Sequence, residues 1–444
     1  MPDAKEKPSS GYNRALYPLL AVNFVGTLGL GIVLPFLVYL VTDFGGNALI
    51  YGIFGATYSA FQMIGAPILG KWSDQYGRRK ILLLSHLGTL LSWLIFYLAF
   101  FLPVHNFFTI DTDFLGTFSL TLPLIVLFVA RVFDGLTGGN VSVANAYLAD
   151  ITDESKRSEN FGRMAISSNL GYIIGPALAG LLGATALGEQ LPVLAAILIS
   201  VITAVIIIFL LPDSKTITLQ KNPELMNVRK VLAQEQKECF KITCKDKLTI
   251  RDVFKMKTAS LLLMINFFVY LGFNFFYIAF PVHAVEALIW DLAETGLFFS
   301  FLSIVMVLVQ GPVLRILSKK WSDPVLLAVG SFFLAGSFLY FLSLETWLVY
   351  AGAVVLALGN GLMWPSLLSL LSKSVPEKFQ GSIQGYAGSL GSAASIIGLL
   401  SGGLLYTQIG VGVFILAAAV IFIIFLISFR LFGDKFPTLA EAKI

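Results

Sequence analysis

Residues 193–211 read VLAAILISVITAVIIIFLL, and residues 411–429 read VGVFILAAAVIFIIFLISF. Each run is long enough to cross a bilayer as a helix, since about 20 apolar residues span the hydrocarbon core. The strands of a membrane barrel would alternate apolar and polar residues over about ten positions, and neither run alternates. Both runs therefore predict membrane-spanning α-helices.

The rest of the chain repeats this pattern. Of its 444 residues, 57% are hydrophobic and only 13% are charged, and the mean hydropathy is +0.83. Soluble domains carry about a quarter charged residues, so this composition excludes a water-soluble enzyme. Twelve apolar stretches, named spans 1 to 12, cover residues 16–41, 50–71, 81–102, 122–149, 161–186, 191–211, 258–282, 292–317, 324–344, 346–371, 381–406 and 410–431. The sequence predicts an all-α polytopic membrane protein with 12 transmembrane helices.

The positions of the charges predict the topology. With a cytoplasmic N-terminus, 29 of the 30 Lys and Arg residues fall in inner loops and tails, and the other, Arg131, falls inside span 4. The outer loops contain acids and no basic residue. This asymmetry follows the positive-inside rule and predicts that both termini are cytoplasmic. The net charge of +4 then reflects topology and anionic lipid, and we expect no nucleic-acid partner.

The chain also reads as a tandem repeat. Glu154, Gly162, Gly175 and Gly180 recur at a constant shift of 223 as Glu377, Gly385, Gly398 and Gly403. The predicted divisions are a cytoplasmic tail (1–15), an N-terminal six-helix bundle (16–211), a cytoplasmic linker (212–257), a C-terminal six-helix bundle (258–431) and a second tail (432–444). Two such halves place a substrate site between them near the midplane. Cys239 and Cys244 read as free thiols in the linker, and we expect no metal and no cofactor.

Three motifs stand out within this frame. The first, Gly70-Lys-Trp-Ser-Asp74-Gln-Tyr-Gly77-Arg78-Arg79-Lys80, joins spans 2 and 3. Gly77 suits a tight turn, Asp74 suits a helix N-terminus, and Arg78 has a plausible partner in Asp150 at the end of span 4. The alternative is a turn with ordinary positive-inside anchoring.

The second motif is Arg131-Val-Phe-Asp134-Gly135-Leu-Thr-Gly138-Gly139 in span 4. Arg131 and Asp134 lie three residues apart and share one face of a helix. A charge within the membrane costs roughly 2.5–3.5 kcal/mol even on insertion scales, which favours a functional role. The alternative is a mutually neutralised pair that only stabilises the helix.

The third motif is Gly171-Tyr-Ile-Ile-Gly175-Pro176-Ala-Leu-Ala-Gly180 in span 5. Small residues at this spacing allow helices to pack closely, and Pro176 predicts a bend. The alternative is generic packing of small residues.

Together these motifs resemble those of the major facilitator superfamily. The first resembles the loop 2–3 pattern G-x-L-[SA]-D-x-x-G-[RK]-[RK], with Trp72 in place of Leu. The second is similar to the span 4 pattern R-x-x-x-G-x-x-x-G of proton-coupled members. The third resembles the span 5 signature of exporters that exchange substrate for protons. The chain looks most like the tetracycline-antiporter branch.

This resemblance implies a role for each motif. Asp134 and Arg131 would couple transport to protons, and the gate would comprise Asp74, Gly77, Arg78 and Asp150. Gly171, Gly175, Pro176 and Gly180 would form a hinge. One departure is that span 1 lacks the carboxylate found in many drug exporters, so Asp134 must carry more of the coupling. The implied function is proton-coupled export of a small amphiphilic compound by alternating access, with proton-coupled uptake of a nutrient or siderophore as the alternative.

Superfamily members line their cavity mainly with spans 1, 4, 7 and 10, assisted by 2, 5, 8 and 11. The corresponding candidates here are Asn23, Gln62, Asn140, Tyr172, Asn274, Tyr277, Gln310, Asn360, Trp364 and Gln384. Each of them can instead make a helix–helix hydrogen bond. We expect most of the 38 Phe residues to face lipid. The expected setting is a bacterial cytoplasmic membrane, with a monomer acting on a small organic substrate and protons.

Other functional classes fit the sequence poorly. No span carries the His–carboxylate cluster, metal motif or nucleophile elbow that a membrane enzyme needs. A phosphate-cradling loop ending in Gly-Lys-Ser/Thr is missing, which excludes a primary pump of that class. A channel would more often assemble several chains around a filter.

Overall fold

The protein is a bundle of long helices. Its structure is a computed structural model that describes residues 11–152, 157–212, 253, 255–375 and 380–432. The first half contains α1 (Gly11–Asp43), α2 (Ala48–Tyr76), α3 (Arg78–Leu98), α4 (Leu122–Thr137), α5 (Asn140–Ile151), α6 (Arg157–Gly183) and α7 (Gln190–Phe209). Helices α4 and α5 together form span 4, so these seven helices account for spans 1 to 6.

The second half repeats this arrangement. It contains α8 (Lys257–Glu286), α9 (Leu292–Leu308), a π-helical turn (Val309–Val313), α10 (Leu314–Leu317), α11 (Asp323–Tyr340), α12 (Thr346–Lys373), α13 (Gln380–Ile409) and α14 (Gly412–Ser428). The segments from α9 to α10 together form span 8. Most of the central linker (213–252 and 254), with Cys239 and Cys244, lies outside the described residues, as do Glu154 and Glu377.

Ten of the described helical segments are long and apolar enough to cross a membrane. They correspond to spans 3 to 12. Span 1 contains a shorter apolar stretch, Ala15–Gly29, and helix α2 includes the polar residues Gln62, Lys71 and Asp74. The fold is that of a polytopic helical membrane protein, and the full count of twelve crossings stays a prediction.

Equivalent asparagines hold each half together. Asn23 Nδ2 in span 1 donates to the Met164 carbonyl oxygen of span 5 at 3.1 Å. Asn266 Nδ2 in span 7 donates to the Ala387 carbonyl oxygen of span 11 at 2.9 Å. Spans 1 and 5 stand in the first half where spans 7 and 11 stand in the second, so the internal repeat extends to individual hydrogen bonds.

The connection between spans 3 and 4 forms a β-hairpin that the sequence analysis did not predict. Strand β1 (Asn106–Thr112) pairs antiparallel with β2 (Gly116–Thr121). Gly116 at the start of β2 has φ 72°, a backbone conformation that glycine adopts without strain. Gln408 Nε2 at the end of span 11 donates to the Asp113 carbonyl oxygen at 2.8 Å. The hairpin of the first half therefore contacts the second half.

The expectation that most phenylalanines face lipid does not hold for those in the core of the second half. A cluster of buried aromatic rings fills the core of the second half around Phe280, whose ring stacks on Phe298 at a centroid distance of 4.3 Å. The cluster also contains Phe276, Phe338, Phe341 and Phe414. These rings come from four different spans, 7, 8, 9 and 12, so the helical periodicity of any single span does not reveal the cluster.

The two halves meet toward the ends of the helices that the charges place outside. Span 5 packs on span 8 so closely that a Cβ on Gly180 would overlap the backbone of Gly296. Span 2 packs on span 11, where a Cβ on Gly403 would lie 2.6 Å from the Ala48 carbonyl oxygen. The halves are thus in close contact at the predicted outer face.

Candidate functional site

The only ion pair buried among the described residues lies in span 4. Arg131 Nη1 donates to Asp134 Oδ2 at 3.1 Å, and the two side chains are 6% and 4% exposed. The Arg131 guanidinium lies over the Tyr58 ring, 5.0 Å from its centroid, and Thr89 lies beside the Asp134 carboxylate. Arg131 Nε has no hydrogen-bond partner. The pair is therefore incompletely satisfied, as expected of charges that exchange partners.

Span 4 is interrupted one turn beyond this pair. The helix stops at Thr137 and resumes at Asn140, because two consecutive glycines, Gly138 and Gly139, end it. The exposed backbone is satisfied by neighbouring spans: Gln62 Nε2 donates to the Gly138 carbonyl oxygen at 2.9 Å, and Ser85 Oγ donates to that of Thr137. Broken helices beside a midplane site are typical of secondary transporters.

Tyrosines from both halves converge beside the pair. Tyr172 of span 5 lies near Tyr58 of span 2 and near Tyr270 and Tyr277 of span 7. The Tyr270 ring meets Trp364 of span 10 edge-to-face at a centroid distance of 4.9 Å. Tyr172 is 46% exposed although it lies in mid-span. These rings form a surface between the halves that suits a flat or amphiphilic organic molecule.

Several predicted cavity residues make helix–helix hydrogen bonds instead of presenting free amides. Asn23 also donates to Ser168 Oγ at 2.7 Å, and Asn274 Nδ2 donates to Ser395 Oγ of span 11 at 3.1 Å. Gln62 is held by Tyr58 and the Gly138 carbonyl. Asn360 Nδ2 lies 3.9 Å from Met306 Sδ, and Gln310 belongs to the π-helical turn of span 8. The side chain of Gln384 lies outside the described part of the chain.

The loop between spans 2 and 3 forms a network within the first half. Arg78 Nε donates to Asp150 Oδ2 at 2.7 Å, the pairing that the sequence predicts, and Arg78 Nη1 donates to Ser73 Oγ at 2.7 Å. Gly77 separates α2 from α3 with φ 97°, a conformation that favours glycine. The side chain of Asp74 is outside the described set. The network joins the loop to the inner end of span 4.

The span 5 motif lies where helices approach at backbone distance. A Cβ on Gly175 would lie 2.6 Å from Gly31 Cα of span 1, and a Cβ on Gly171 would overlap Thr27 of the same span. Gly180 instead contacts Gly296 of the second half. The helix continues through Pro176 from Arg157 to Gly183. Within the motif, Gly171 and Gly175 thus pack span 5 on span 1 of the first half. Gly180, at the outer end, packs it on span 8 of the second half.

Tyr58 and Thr89 lie beside the Arg131–Asp134 pair but are not among the site residues predicted from the sequence. Tyr58 stands one helical turn before Gln62 and two turns after Tyr51, a polar stripe in an otherwise apolar span that the spacing reveals. Thr89 carries no comparable signal. Within the described residues, no group of three or more His, Cys, Asp or Glu side chains is arranged to hold a metal.

The chain is similar to curated transporters over most of its length. It is 29% identical over 401 residues to the class E tetracycline resistance protein of Escherichia coli, covering 89% of this chain and 88% of that protein. It is 28% identical to the class B protein of Escherichia coli, covering 88% of each. It is 24% identical to solute carrier family 22 member 18 of Mus musculus, covering 85% of each.

Solved structures share the fold at low identity. A D-xylose–proton symporter aligns with a TM-score of 0.70 at 14% identity, covering 96% of this chain and 99% of that one. The human organic anion transporter MFSD10 aligns with a TM-score of 0.63 at 17% identity, covering 95% of this chain and 100% of that one. The sequence profile of the Major Facilitator Superfamily matches residues 19–398, with a second match at 262–443. The chain belongs to the Major Facilitator Superfamily.

Proposed function

We propose that this protein exports a small amphiphilic organic compound from the cytoplasm in exchange for protons. The observation that carries the proposal is the buried Arg131–Asp134 pair, which places one titratable carboxylate beside one fixed positive charge between packed helices. A proton on Asp134 cancels its charge and frees Arg131. Loss of that proton restores the pair, so protonation has two structural consequences that transport can use.

The surroundings of the pair support this proposal. Tyr58 lies under the Arg131 guanidinium and near Tyr172, so the pair lies close to the aromatic surface between the halves. A substrate bound on that aromatic surface is therefore placed to compete for interactions with Arg131 and Asp134. The relatives named as tetracycline resistance proteins make tetracycline the first compound to test.

The remaining assignments complete the proposal. Arg78 and Asp150, with Gly77 and Asp74, act as a gate at the inner face and do not contact substrate. Gly171, Gly175, Pro176 and Gly180 form the hinge of span 5. The protein acts as a monomer in the cytoplasmic membrane of a bacterium, with its lipid-facing helices in direct contact with the bilayer.

The test uses everted membrane vesicles with an acid interior and a pH-sensitive dye. We expect tetracycline, or another amphiphile of a panel that includes siderophores, to collapse the gradient in the wild type. Asp134→Asn should lower this rate at least tenfold while inserted protein and ligand binding persist. Asp323→Asn is the matched control, because it also breaks an ion pair, Lys373–Asp323 at 2.6 Å, yet lies away from Arg131.

Each other outcome counts against the proposal. If no compound collapses the gradient although the wild type is correctly inserted, uptake or uncoupled transport replaces antiport. If Asp134→Asn abolishes insertion while Asp323→Asn does not, the Arg131–Asp134 pair is structural.

A further inference from the structure

His86 is a buried ionisable side chain for which the export mechanism above has no role. It lies in span 3 and is 3% exposed. It stands one helical turn from Thr89, which lies beside Asp134. A histidine near a coupling carboxylate brings a second group able to hold a proton into the same half.

His86 and Asp134 border one small cavity in the first half. The cavity volume is about 10 Å³, which is about the space that one water molecule needs. Tyr58, Thr89 and Asn140 also line it. The carboxylate and the imidazole therefore face a shared space that accommodates a single bridging water.

A second small cavity adjoins the first and shares Gly26, His86 and Asn140 with it. It extends one turn further to Asn23 on span 1 and Leu82 on span 3. Span 3 begins at Arg78, so this direction leads toward the face that carries the basic residues. His86 thus stands at the junction of two cavities that run from Asp134 toward the inner surface.

Gly26 leaves room for this junction. A Cβ at position 26 would lie 3.1 Å from His86 Cε1 and 3.6 Å from Asn140 Nδ2. The charged and titratable groups near the imidazole are Asp134, its partner Arg131 and Tyr58. Span 6 contributes only neutral residues to the first cavity, namely Ile199, Ser200 and Thr203.

We propose that His86 relays protons between Asp134 and the cytoplasmic face. The proton leaves the Asp134 carboxyl for a bridging water, which gives another of its protons to the unprotonated imidazole nitrogen. The imidazolium then releases a proton toward the second cavity, and Asp134 is left as the carboxylate that pairs with Arg131. This inference rests on the proposed proton antiport.

The test separates proton-driven transport from substrate exchange. His86→Gln keeps a polar side chain of similar length but cannot accept and release a proton. We expect it to slow gradient-driven transport at least tenfold, while exchange of labelled for unlabelled substrate without a gradient stays within twofold of the wild type. His283→Gln is the control, because it changes another buried histidine, in span 7, far from this cavity in sequence.

Gly26→Ala provides a second variant that retains the imidazole. Its methyl group narrows the junction, so we expect a several-fold loss of driven transport with exchange preserved. If His86→Gln does not insert into the membrane, Gly26→Ala tests whether protons pass through the junction at His86. A pH profile of driven transport should flatten in His86→Gln and keep its shape in His283→Gln.

The outcomes distinguish the His86 relay from the proton antiport on which it rests. A wild type that dissipates no gradient removes both. Coupling that is lost in Asp134→Asn but intact in His86→Gln and Gly26→Ala overturns the relay alone. An equal loss of exchange and driven transport in His86→Gln assigns the side chain to packing and also overturns the relay.

Discussion

Glu189 lies in the loop before span 6 and shares a hydrogen bond with Asp43 at the end of span 1. The pKa of the Glu189 carboxyl is raised to about 8, mainly by burial and to a smaller extent by the charge of Asp43 and this hydrogen bond. The two carboxyls therefore share a proton at neutral pH, because two adjacent carboxylates would repel each other. This pair ties span 1 to the loop between spans 5 and 6.

Stability should consequently depend on pH. The folded pKa of Glu189 lies above its ordinary value of 4.5, so the folded protein holds a proton that the unfolded chain releases between about pH 4.5 and 8. The stabilisation of the folded state by this bound proton is complete below pH 4.5 and is lost as the pH rises through 8. Thermal unfolding in detergent should show Tm falling across this range in the wild type and much less in Glu189→Gln.

The comparison variant for this measurement is Glu345→Gln, which changes an exposed acid of another outer loop. It should retain the pH dependence of the wild type. A Glu189→Gln curve that parallels the wild type at every pH would show that the carboxyl pair holds no extra proton.

At the scale of elements, the hairpin is the feature that most directly links the two halves. It is fixed to the first half by the Ser119 N–H, which donates to the Gly45 carbonyl oxygen at 2.8 Å. Its tip accepts hydrogen bonds from Gln408 at the outer end of span 11 through the carbonyl oxygens of Asp113 and Phe114. Opening of the outer face must separate Gln408 from this tip.

A reversible crosslink tests this requirement. Asp113→Cys and Gln408→Cys are combined after Cys239 and Cys244 are replaced by serine, and a short bis-methanethiosulfonate reagent joins them. Transport should fall to the background rate and recover when dithiothreitol removes the linker, because the outer face cannot open. The single-cysteine variants should be unaffected by the reagent. Unchanged transport by crosslinked protein would mean that the hairpin moves with the second half.

The sequence predicts the helices far better than the contacts between them. Apolar length alone locates the described helical segments, and the spacing of Arg131 and Asp134 predicts their pairing. The hairpin escapes this reasoning because its strands are short and lie outside the membrane pattern. The break at Gly138 escapes it because glycine is frequent in membrane helices and does not by itself end them.

Side-chain partners across helices are the least predictable part of the site. Asn23 and Asn274 look like cavity residues in the sequence, since an amide in an apolar span often serves a ligand. In the folded chain they hold spans 5 and 11, because an unpartnered amide within the membrane is unfavourable and a nearby hydroxyl satisfies it. Which helix faces which amide depends on tertiary packing that no single span encodes.

In the whole molecule, the outer face is closed by contacts between spans of opposite halves, among them the packing of span 2 on span 11 and of span 5 on span 8. Tyr39 Oη of span 1 lies 2.8 Å from the Asp291 carbonyl oxygen and also contacts Thr295 at the start of span 8. Gly180 and Gly296 touch backbone to backbone beside this point. Alternating access requires that these contacts break and reform in each cycle, so the closed and open forms must have similar free energies.

Gly180→Ala should shift that balance toward the outward-open form. Its Cβ would overlap the backbone of Gly296, and no change of rotamer relieves the overlap. Spin labels at Thr185→Cys and Thr346→Cys, in a background lacking Cys239 and Cys244, report the distance between the outer ends of the halves. The variant should populate longer distances and transport more slowly, because a bias of about 1.4 kcal/mol changes the ratio of the two forms tenfold.

Gly336→Ala supplies the matched control, because it adds the same methyl group to a helix of the second half where no atom lies within 4 Å of the new Cβ. It should leave both the distance distribution and the transport rate unchanged, which separates closure from the general effect of replacing a helical glycine. An unaltered distance distribution in Gly180→Ala would show that spans 5 and 8 accommodate the methyl group without a change in the free-energy difference between the closed and open forms. Closure would then have to be attributed to Tyr39, the hairpin and the packing of span 2 on span 11.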